Sequence, residues 1–472
     1  MNKTKMIATI GPSSKGEDVI REIIKAGADV IRINMSHASA DFAKDVILKT
    51  RKISDELNVE VGVMIDTRGP EIRIGTIEPS VIKLYKGKSI RIVKNQIVGN
   101  ADMVSISIPA VTEHCKIGEK ILLNDGEVEL EVNATDGETL ICEIKNDGYI
   151  KSNCSINIPN ANFNIKFLSK YDRETIKFAV EMEVDYLALS LVNSHLDVLD
   201  VNDLLIELNE SHIQLISKIE NQNALDSLEE IIKMSDGIMI SRGDLGLEVD
   251  IEKIPSLQKK ISRLTKEKEK ICIVATEMLA SMQKSPRPTR AEVSDVANAV
   301  LDGTDAVMLS GETAIGLYPI ETVQTMNKII DTIENEMNYN DILLNINRND
   351  EIDTSKAISY SCVDCANRVG AKAIVCSTLS GLTAKEISNF RPGCPVIAIS
   401  PDPKVVRSLV INYGIFPLKS QIVNSTDEMI NLSVASASKV VDLEKNDRLV
   451  IVGSFPLEGV KYTNFMKIEE IK

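Results

Sequence analysis

The chain contains no tryptophan, and only 4% of its residues are aromatic. A binding surface that stacks successive nucleic-acid bases needs rings in series, so this composition argues against one. Histidine is also scarce. His37, His114, His195 and His212 do not cluster in the sequence, which argues against a histidine-based metal centre. The eight cysteines are scattered, and only Cys362 and Cys365 form a CxxC. That pair lies inside an apolar helical pattern, AISYSCVDCANRV, with no second pair nearby. Small buried hydrophobes are the expectation there, rather than zinc or redox chemistry. No apolar run reaches the ~18 residues needed to cross a bilayer. The N-terminus, MNKTKMIATIG, lacks the long apolar core and cleavage site of a signal peptide, so the cytoplasm is the expected location and no membrane partner is expected. An excess of positive charge is missing too. The formal net charge is −15, which argues against nucleic acid as a partner but leaves room for a small phosphorylated ligand in a local basic pocket.

What is present is an ordinary water-soluble composition, 43% hydrophobic and 26% charged, over 472 residues, enough for several domains. Residues 1 to 66 read strand, helix, strand, helix, strand: MIATI, Glu17 to Ala26, DVIRINM, Ala40 to Leu57, VGVMID. Short apolar strands alternating with helices imply a parallel sheet. From Glu71 to Phe167 the rhythm changes to alternating segments (KSIRIV, MVSISIP, KILL, EVELEV, TLICEI, CSINIP) split by turn signals such as Asn124-Asp125-Gly126, with no helix expected. The strand–helix rhythm resumes at Ser169 and supplies DYLALS, QLISKIE, GIMIS, ICIVAT and DAVMLS. Eight units with an all-β insertion after the third spell an α/β architecture, a (β/α)₈ barrel over 1–70 and 167–340 carrying a β-barrel lid over 71–166. A polar stretch from Asn340, NYNDILLNINRNDEID, reads as a linker into a C-terminal doubly wound α/β domain over 341–472.

The strand ends carry the chemistry. Strand five ends in Lys218 and Glu220, which share one face because side chains alternate along a strand. Arg242, Gly243 and Asp244 follow strand six. The others end in Thr9; in Arg32, Asn34 and Ser36; in Asp66, Thr67 and Arg68, with Glu71 and Arg73 beyond; in Ser190; in Thr276 and Glu277; and in Ser310 and Glu312. In parallel barrels reactive groups gather at this rim. Glu220 and Asp244 are hard oxygen donors, which favours Mg²⁺ or Mn²⁺ over zinc. Asn34, Ser36, Asp66 and Thr67 add oxygens with one formal negative charge, a set suited to a monovalent cation. Arg32, Arg73 and Lys218 are anion binders. No Cys/His or Ser/His pair supports acyl transfer. Cations and a divalent metal around an anion fit phosphoryl transfer or enolate chemistry, and the residue types alone do not choose between them.

At these residues the chain resembles the pyruvate kinase family. The resemblance runs in register through MIATIGPSS, VIRINMSH, DTRGPEIR, LISKIENQ, ISRGDLGLE, VATEMLASM and SPRPTRAEVSDVANAVLDGTDAVMLSGETAIG, and it covers the whole chain. It implies a cytoplasmic glycolytic enzyme, usually a homotetramer, that moves phosphate from phosphoenolpyruvate to ADP, giving ATP and pyruvate. By position, Lys218 looks like the lysine that stabilises the phosphoryl group in flight. Glu220 and Asp244 look like Mg²⁺ ligands; Asn34, Ser36, Asp66 and Thr67 look like K⁺ ligands. Arg32, Gly243, Asp244 and Thr276 look like substrate contacts, and Arg32, Asn34, Ser36, His37 and Arg73 line up with nucleotide contacts. Thr276 and Ser310, through water, are the candidates for protonating enolpyruvate. Glu71 stands where a glutamate goes with K⁺ dependence in this family. An aldolase-like barrel acting on phosphoenolpyruvate, and a catalytically weak metabolite-binding relative, are the competing readings.

Departures from the family pattern narrow the expectation. The run Ser190-Leu191-Val192-Asn193-Ser194 lacks two basic residues, and Cys154-Ser155 before Ile156-Asn157-Ile158-Pro159-Asn160 replaces a lysine–glycine pair. About three positive charges are lost from the nucleotide side, which implies weaker ADP binding with the chemistry intact. Glu277 stands where glutamine is common. In the C-terminal domain, Ser377, Thr378, Ser380, Gly381 and Thr383 form a hydroxyl-rich loop opening a helix, a candidate phosphate site for an effector. The segment GSFPLEGVKYTNF lacks the Trp and the Arg-Pro-Gly run of the animal fructose-1,6-bisphosphate loop, so that effector is not expected.

Overall fold

Eight strands alternate inward and outward residues so completely that both faces are buried, and this dictates a closed parallel barrel wrapped in helices. In the computed structural model, which describes residues 2–159, 165–346, 353–423, 425–454 and 462–472, the strands are Lys5–Thr9, Val30–Asn34, Gly62–Asp66, Tyr186–Leu189, Gln214–Ile219, Gly237–Ser241, Ile271–Ala275 and Ala306–Leu309. They close into one barrel, the first pairing with both the second and the last, with Lys5 opposite Ala306. Ile7, Val30, Met64, Ile216, Met239, Ile273 and Met308 fill the interior, while Ile31, Ile33, Ile65, Ile238 and Ile240 face the helices. Those helices are amphipathic: Glu17–Lys25 buries Ile20, Ile23 and Ile24, with Glu17 and Asp18 at its N-terminal end and Lys25 at its C-terminal end, as the helix dipole favours. Hydroxyl and amide caps begin many of them, including Ser39, Ser169, Asn221 and Thr289.

The barrel floor is closed by the C-terminal half of the chain. Val410 and Ile411 belong to the interior cluster of the barrel. The Tyr186 hydroxyl donates to the Arg407 carbonyl at 2.9 Å and accepts from Ile411 N at 3.2 Å. The buried Arg391 donates to Asp305 at 2.6 Å and to the Gly303 carbonyl at 2.8 Å. The terminal sheet runs Ile415–Lys419, Val396–Ser400, Ala373–Ser377, Arg448–Gly453, Phe465–Glu470, with only the last strand antiparallel.

In the inserted region a six-stranded sheet has its two edges bridged by one segment, in which Arg73 pairs with Ser155 and Ile74 with Ile106. Val81–Leu84 and Gly148–Lys151 form a separate two-stranded ribbon. The region differs from expectation in containing a short helix, Ala110–His114, entered from Pro109. Its core, from Ile74 to Ile158, is its own. The stretch read as linker begins as a helix, Tyr339–Asn345, capped by Asn338 and anchored by the buried Leu343; residues 347–352 lie outside the described residues. Among the described residues no helix is long and apolar enough to cross a membrane.

Candidate active site

The alternation that fills the barrel with Ile216 and Ala188 puts Lys218 and Ser190 two residues higher on the same inward faces, at the mouth. There they meet Asp66 and Glu220. Lys218 Nζ lies 2.8 Å from Glu220 Oε1, 2.8 Å from Ser190 Oγ and 3.5 Å from Asp66 Oδ1. Ser190 Oγ in turn donates a hydrogen bond to Asp66 Oδ1 at 2.9 Å. Asp66 Oδ2 takes both Nε and Nη2 of Arg32, whose Nη1 donates to Thr9 Oγ1 at 2.9 Å. One carboxylate thus gathers two cations in a site where Lys218 is 8% and Glu220 3% exposed. Burial opposes the charge on Lys218, but Asp66, Glu220 and Asp244 outweigh it and hold its pKa above the usual lysine value. Burial likewise opposes ionisation of Asp66, and Arg32 and Lys218 overcome it, leaving that carboxyl below its usual range.

Asp244 behaves differently. It sits in the short helix Arg242–Glu248, and burial together with the neighbouring Glu220 carboxylate pushes it up to about 7, against the pull of Lys218. Two adjacent carboxylates, Glu220 buried and Asp244 half-buried, are short of positive charge, and oxygen donors so placed suit a hard divalent cation. The described residues contain no group of three or more His, Cys, Asp or Glu poised around one point. A two-carboxylate site whose remaining positions go to water and substrate is the magnesium pattern.

These groups line the base of a cleft of about 1020 Å³ between barrel and lid, which also receives Arg32, Asn34, Ser36, His37, Thr276 and Ser310. Asp66 and Thr67 lie beneath it, buried. Thr67 Oγ1 accepts from Ser190 N at 3.2 Å and donates to the Ala188 carbonyl at 3.3 Å, and Asn34 Oδ1 accepts from Ser36 N at 2.9 Å. Thr276 Oγ1 accepts from Gly243 N at 2.8 Å, so the two expected substrate contacts hold each other. Thr276 and Glu277 both have positive φ, 67° and 54°, as does Leu191 at 57°. Left-handed backbone at non-glycine residues is costly and gathers at functional sites.

Other charged rim residues turn out to be scaffold. Arg242 turns away from the cleft to Asp295 at 2.6 Å and the Thr276 carbonyl at 2.8 Å. Glu312 is buried and accepts from Leu279 N and Ser310 N, fixing the ends of two strands. Conversely, Ser190 is more central than its neutral side chain advertised. Register was the only available signal, since it shares a face with Ala188 and adjoins Lys218.

On the lid side, Arg73 is clasped by Glu71 at 2.9 and 2.7 Å and reaches the Asn153 carbonyl at 2.7 Å. The turn Asn124-Asp125-Gly126 closes onto the barrel, where a β-carbon on Gly126 would lie 2.8 Å from Leu247. Where basic residues were missing, the substitutes are used locally. Ser194 and Asp197 form a capping box on the helix His195–Glu207, Asn193 Nδ2 donates to the Leu191 carbonyl, and Cys154 is buried, which pushes its thiol pKa up. Asn160 lies outside the described residues. In the C-terminal domain, Gly381 (φ 84°) opens the helix Leu382–Asn389 without a side-chain cap, Thr378 Oγ1 accepts from Gly381 N, and Thr383 pairs with Thr463 at 2.7 Å. Ser377 ends its strand, Leu382 N reaches Ser380 Oγ at 3.5 Å, and residues 455–461 of the facing segment lie outside the described residues.

Comparison with known proteins agrees with this architecture. Residues 1–323 match the model of the pyruvate kinase barrel domain, and residues 356–469 that of the pyruvate kinase alpha/beta domain. The chain is 40% identical to the pyruvate kinase of Clostridium acetobutylicum over the whole of both chains. It is 37% identical to that of Geobacillus stearothermophilus, covering 99% of this chain and 80% of that one. The crystal structure of a pyruvate kinase from Cryptosporidium parvum superposes with a TM-score of 0.93 at 33% identity, over 100% of this chain and 96% of that one. With barrel, lid, terminal sheet and rim all in register, the chain belongs to the pyruvate kinase family.

Proposed function

We propose that this chain transfers the phosphoryl group of phosphoenolpyruvate to ADP, yielding ATP and pyruvate, the last step of glycolysis, as a cytoplasmic homotetramer. The observation that carries the reading is the buried Lys218 ammonium, fixed by Glu220, Asp66 and Ser190 at the base of the cleft. A preorganised cation in a water-poor site is worth most when negative charge spreads over a phosphoryl group in flight. Arg32, held flat by Asp66, offers its remaining N–H groups to the same anion. Gly243 N and Thr276 Oγ1 release each other to take the substrate carboxylate. Arg73 and His37 face the nucleotide phosphates.

Glu220 and Asp244 would hold Mg²⁺ or Mn²⁺, which supplies charge neutralisation and orients the phosphates. Asn34, Ser36, Asp66 and Thr67 would hold K⁺, a set of neutral oxygens with one carboxylate. Glu71 adds negative charge beside Arg73, and K⁺ compensates it. Thr276 and Ser310 serve the protonation of enolpyruvate. The hydroxyl loop of Ser377, Thr378, Ser380, Gly381 and Thr383 is a candidate effector site, with Ser377 and Ser380 the residues best placed to offer hydroxyls.

The test is pyruvate release from phosphoenolpyruvate with Mg²⁺, with and without ADP, each with and without K⁺. Turnover that requires ADP and K⁺ is expected. Turnover independent of ADP would instead favour aldolase-like or phosphatase chemistry, and none at millimolar ADP would favour a metabolite-binding regulator. Full activity in a bulky inert cation would remove the K⁺ assignment.

A further inference from the structure

Three arginines line the cleft, Arg32, Arg68 and Arg73, and they are not equally occupied. Arg32 is committed to Asp66 and Thr9, and Arg73 to Glu71 and the Asn153 carbonyl. Arg68, half-buried just past the third barrel strand, makes no ion pair and no side-chain hydrogen bond among the described residues. Its guanidinium instead lies over the ring of Tyr171, 4.0 Å from the centroid. Asp172, the next residue along, is buried and already occupied: Oδ1 accepts from Arg68 N at 3.0 Å and Gly69 N at 3.3 Å, and Oδ2 accepts from Ser169 Oγ at 2.6 Å. It fixes the backbone of Arg68 and leaves the side chain alone. The platform itself is tied down, since the Tyr171 ring packs against the barrel core and its hydroxyl donates to the Met35 carbonyl at 2.8 Å. Met35 stands between Asn34 and Ser36, so the ring joins Arg68 to the corner of Asn34, Ser36 and His37, which also lines the cleft. Stacking covers the face of a guanidinium and leaves its in-plane N–H donors free, in a fork that matches phosphate oxygens. It also fixes that plane before a ligand arrives, which lowers the ordering cost of binding.

We propose that Arg68, held flat on Tyr171, is a further contact of this chain for the diphosphate of the nucleotide. The inference rests on the phosphoryl transfer proposed above and adds a residue that receives its acceptor. The acceptor carries its negative charge on the diphosphate, and Cys154, Asn193 and Ser194 leave that side of the cleft short of cations. Arg68 supplies one from the barrel side, next to the Asn34, Ser36 and His37 corner. Lys218 and Arg32 are engaged at the base of the cleft, where phosphoenolpyruvate is bound in the same reading. Arg68 therefore acts on the nucleotide and not on phosphoenolpyruvate. Tyr171 touches neither substrate; it is a positioning residue.

The experiment is steady-state kinetics of the unmodified chain, Arg68→Gln, Arg68→Lys and Tyr171→Leu, with ADP and phosphoenolpyruvate varied in turn and a thermal melt of each protein. Arg68→Gln is expected to raise the KM for ADP about tenfold, the scale of one lost hydrogen bond to a charged group, and to move the KM for phosphoenolpyruvate by less than about twofold. Arg68→Lys keeps the charge but loses the fork, and its KM for ADP should fall between those of Arg68→Gln and the unmodified chain. Tyr171→Leu keeps the arginine but frees its plane, and should raise the KM for ADP about two- to fivefold. An unchanged KM for ADP in Arg68→Gln overturns the assignment. An equal rise for both substrates overturns it too, because a merely structural role in the loop after Asp66 and Thr67 would disturb both. If Arg68→Gln fails to fold, the other two variants carry the test, and no rise in the KM for ADP in either overturns the inference. No pyruvate formation by the unmodified chain overturns the kinase reading and this inference with it.

Discussion

Lys218 has three acceptors and little water, so its removal acts on both structure and chemistry. Lys218→Met leaves Asp66 and Glu220 short of a cation. Breaking one side of a buried ion pair costs about 3–5 kcal/mol, so the barrel should unfold at lower denaturant concentration. Activity should fall by about 10² to 10³, the scale for losing one preorganised donor at a developing charge. Loss of activity without loss of stability would mean that the buried network is looser than its distances imply. At the cleft edge, Asn193 and Ser194 replace charge with local capping. Asn193→Arg should lower the KM for ADP about two- to fivefold, the equivalent of ~0.5–1 kcal/mol for an exposed phosphate contact, while kcat stays within a factor of two, roughly the effect of a few tenths of a kcal/mol. The pairing of Lys218 with Glu220 was legible from alternation alone. The directions of Arg242 and Glu312 were not, because both lie past the strand ends, where alternation stops constraining a side chain.

Barrel strands were legible almost to the residue because each is a short, fully apolar run bounded by polar or glycine positions. The short helices Ala110–His114 and Tyr339–Asn345 were not, since one or two turns carry too little periodicity to stand out. Asn338 before an Ile-Leu-Leu run was the signal for the second. Two predictions belong at this scale. Gly69 (φ +69°) leads from the third barrel strand toward the lid, and a β-carbon there would lie 2.4 Å from the Ser190 carbonyl oxygen. Gly69→Ala should cost at least about 1–2 kcal/mol from the left-handed backbone alone and should also lower kcat, because the displaced residue carries the Lys218 contact; an unchanged kcat would sever that link. The second concerns Glu386, in the helix Leu382–Asn389, which accepts from Ser355 at 2.5 Å and Ser359 at 3.3 Å on Thr354–Val369. Burial raises its carboxyl above the usual value of 4.5, more than the two serines lower it. The folded state therefore binds this proton more tightly than the unfolded one. Its stabilising effect is full below about pH 4.5 and is lost as pH rises through the folded value. Glu386→Gln should flatten the decline in Tm across that interval, and an identical decline in both proteins would show that the group titrates normally.

At the scale of the molecule, the lid keeps a core to itself, while the barrel interior borrows Val410 and Ile411 from the far half of the chain. The order of elements along the chain was readable, but this sharing was not, since both residues sit in an unremarkable apolar run, SLVINYGIF. Ile411→Asp buries a carboxylate against Tyr186 and the barrel floor. The expected result is early thermal unfolding of the barrel and proteolysis within residues 1–70 and 167–340, while the lid sheet, with its own core, stays protected; a lid that melts with the barrel would show one cooperative unit. The shared floor also sets a timetable. The last barrel strand ends at Leu309, about 100 positions before Ile411. At roughly 5–20 residues per second of synthesis, the completed barrel waits about five to twenty seconds for its plug to leave the ribosome. Throughout that interval its apolar underside is open to chaperones and to other unfinished chains.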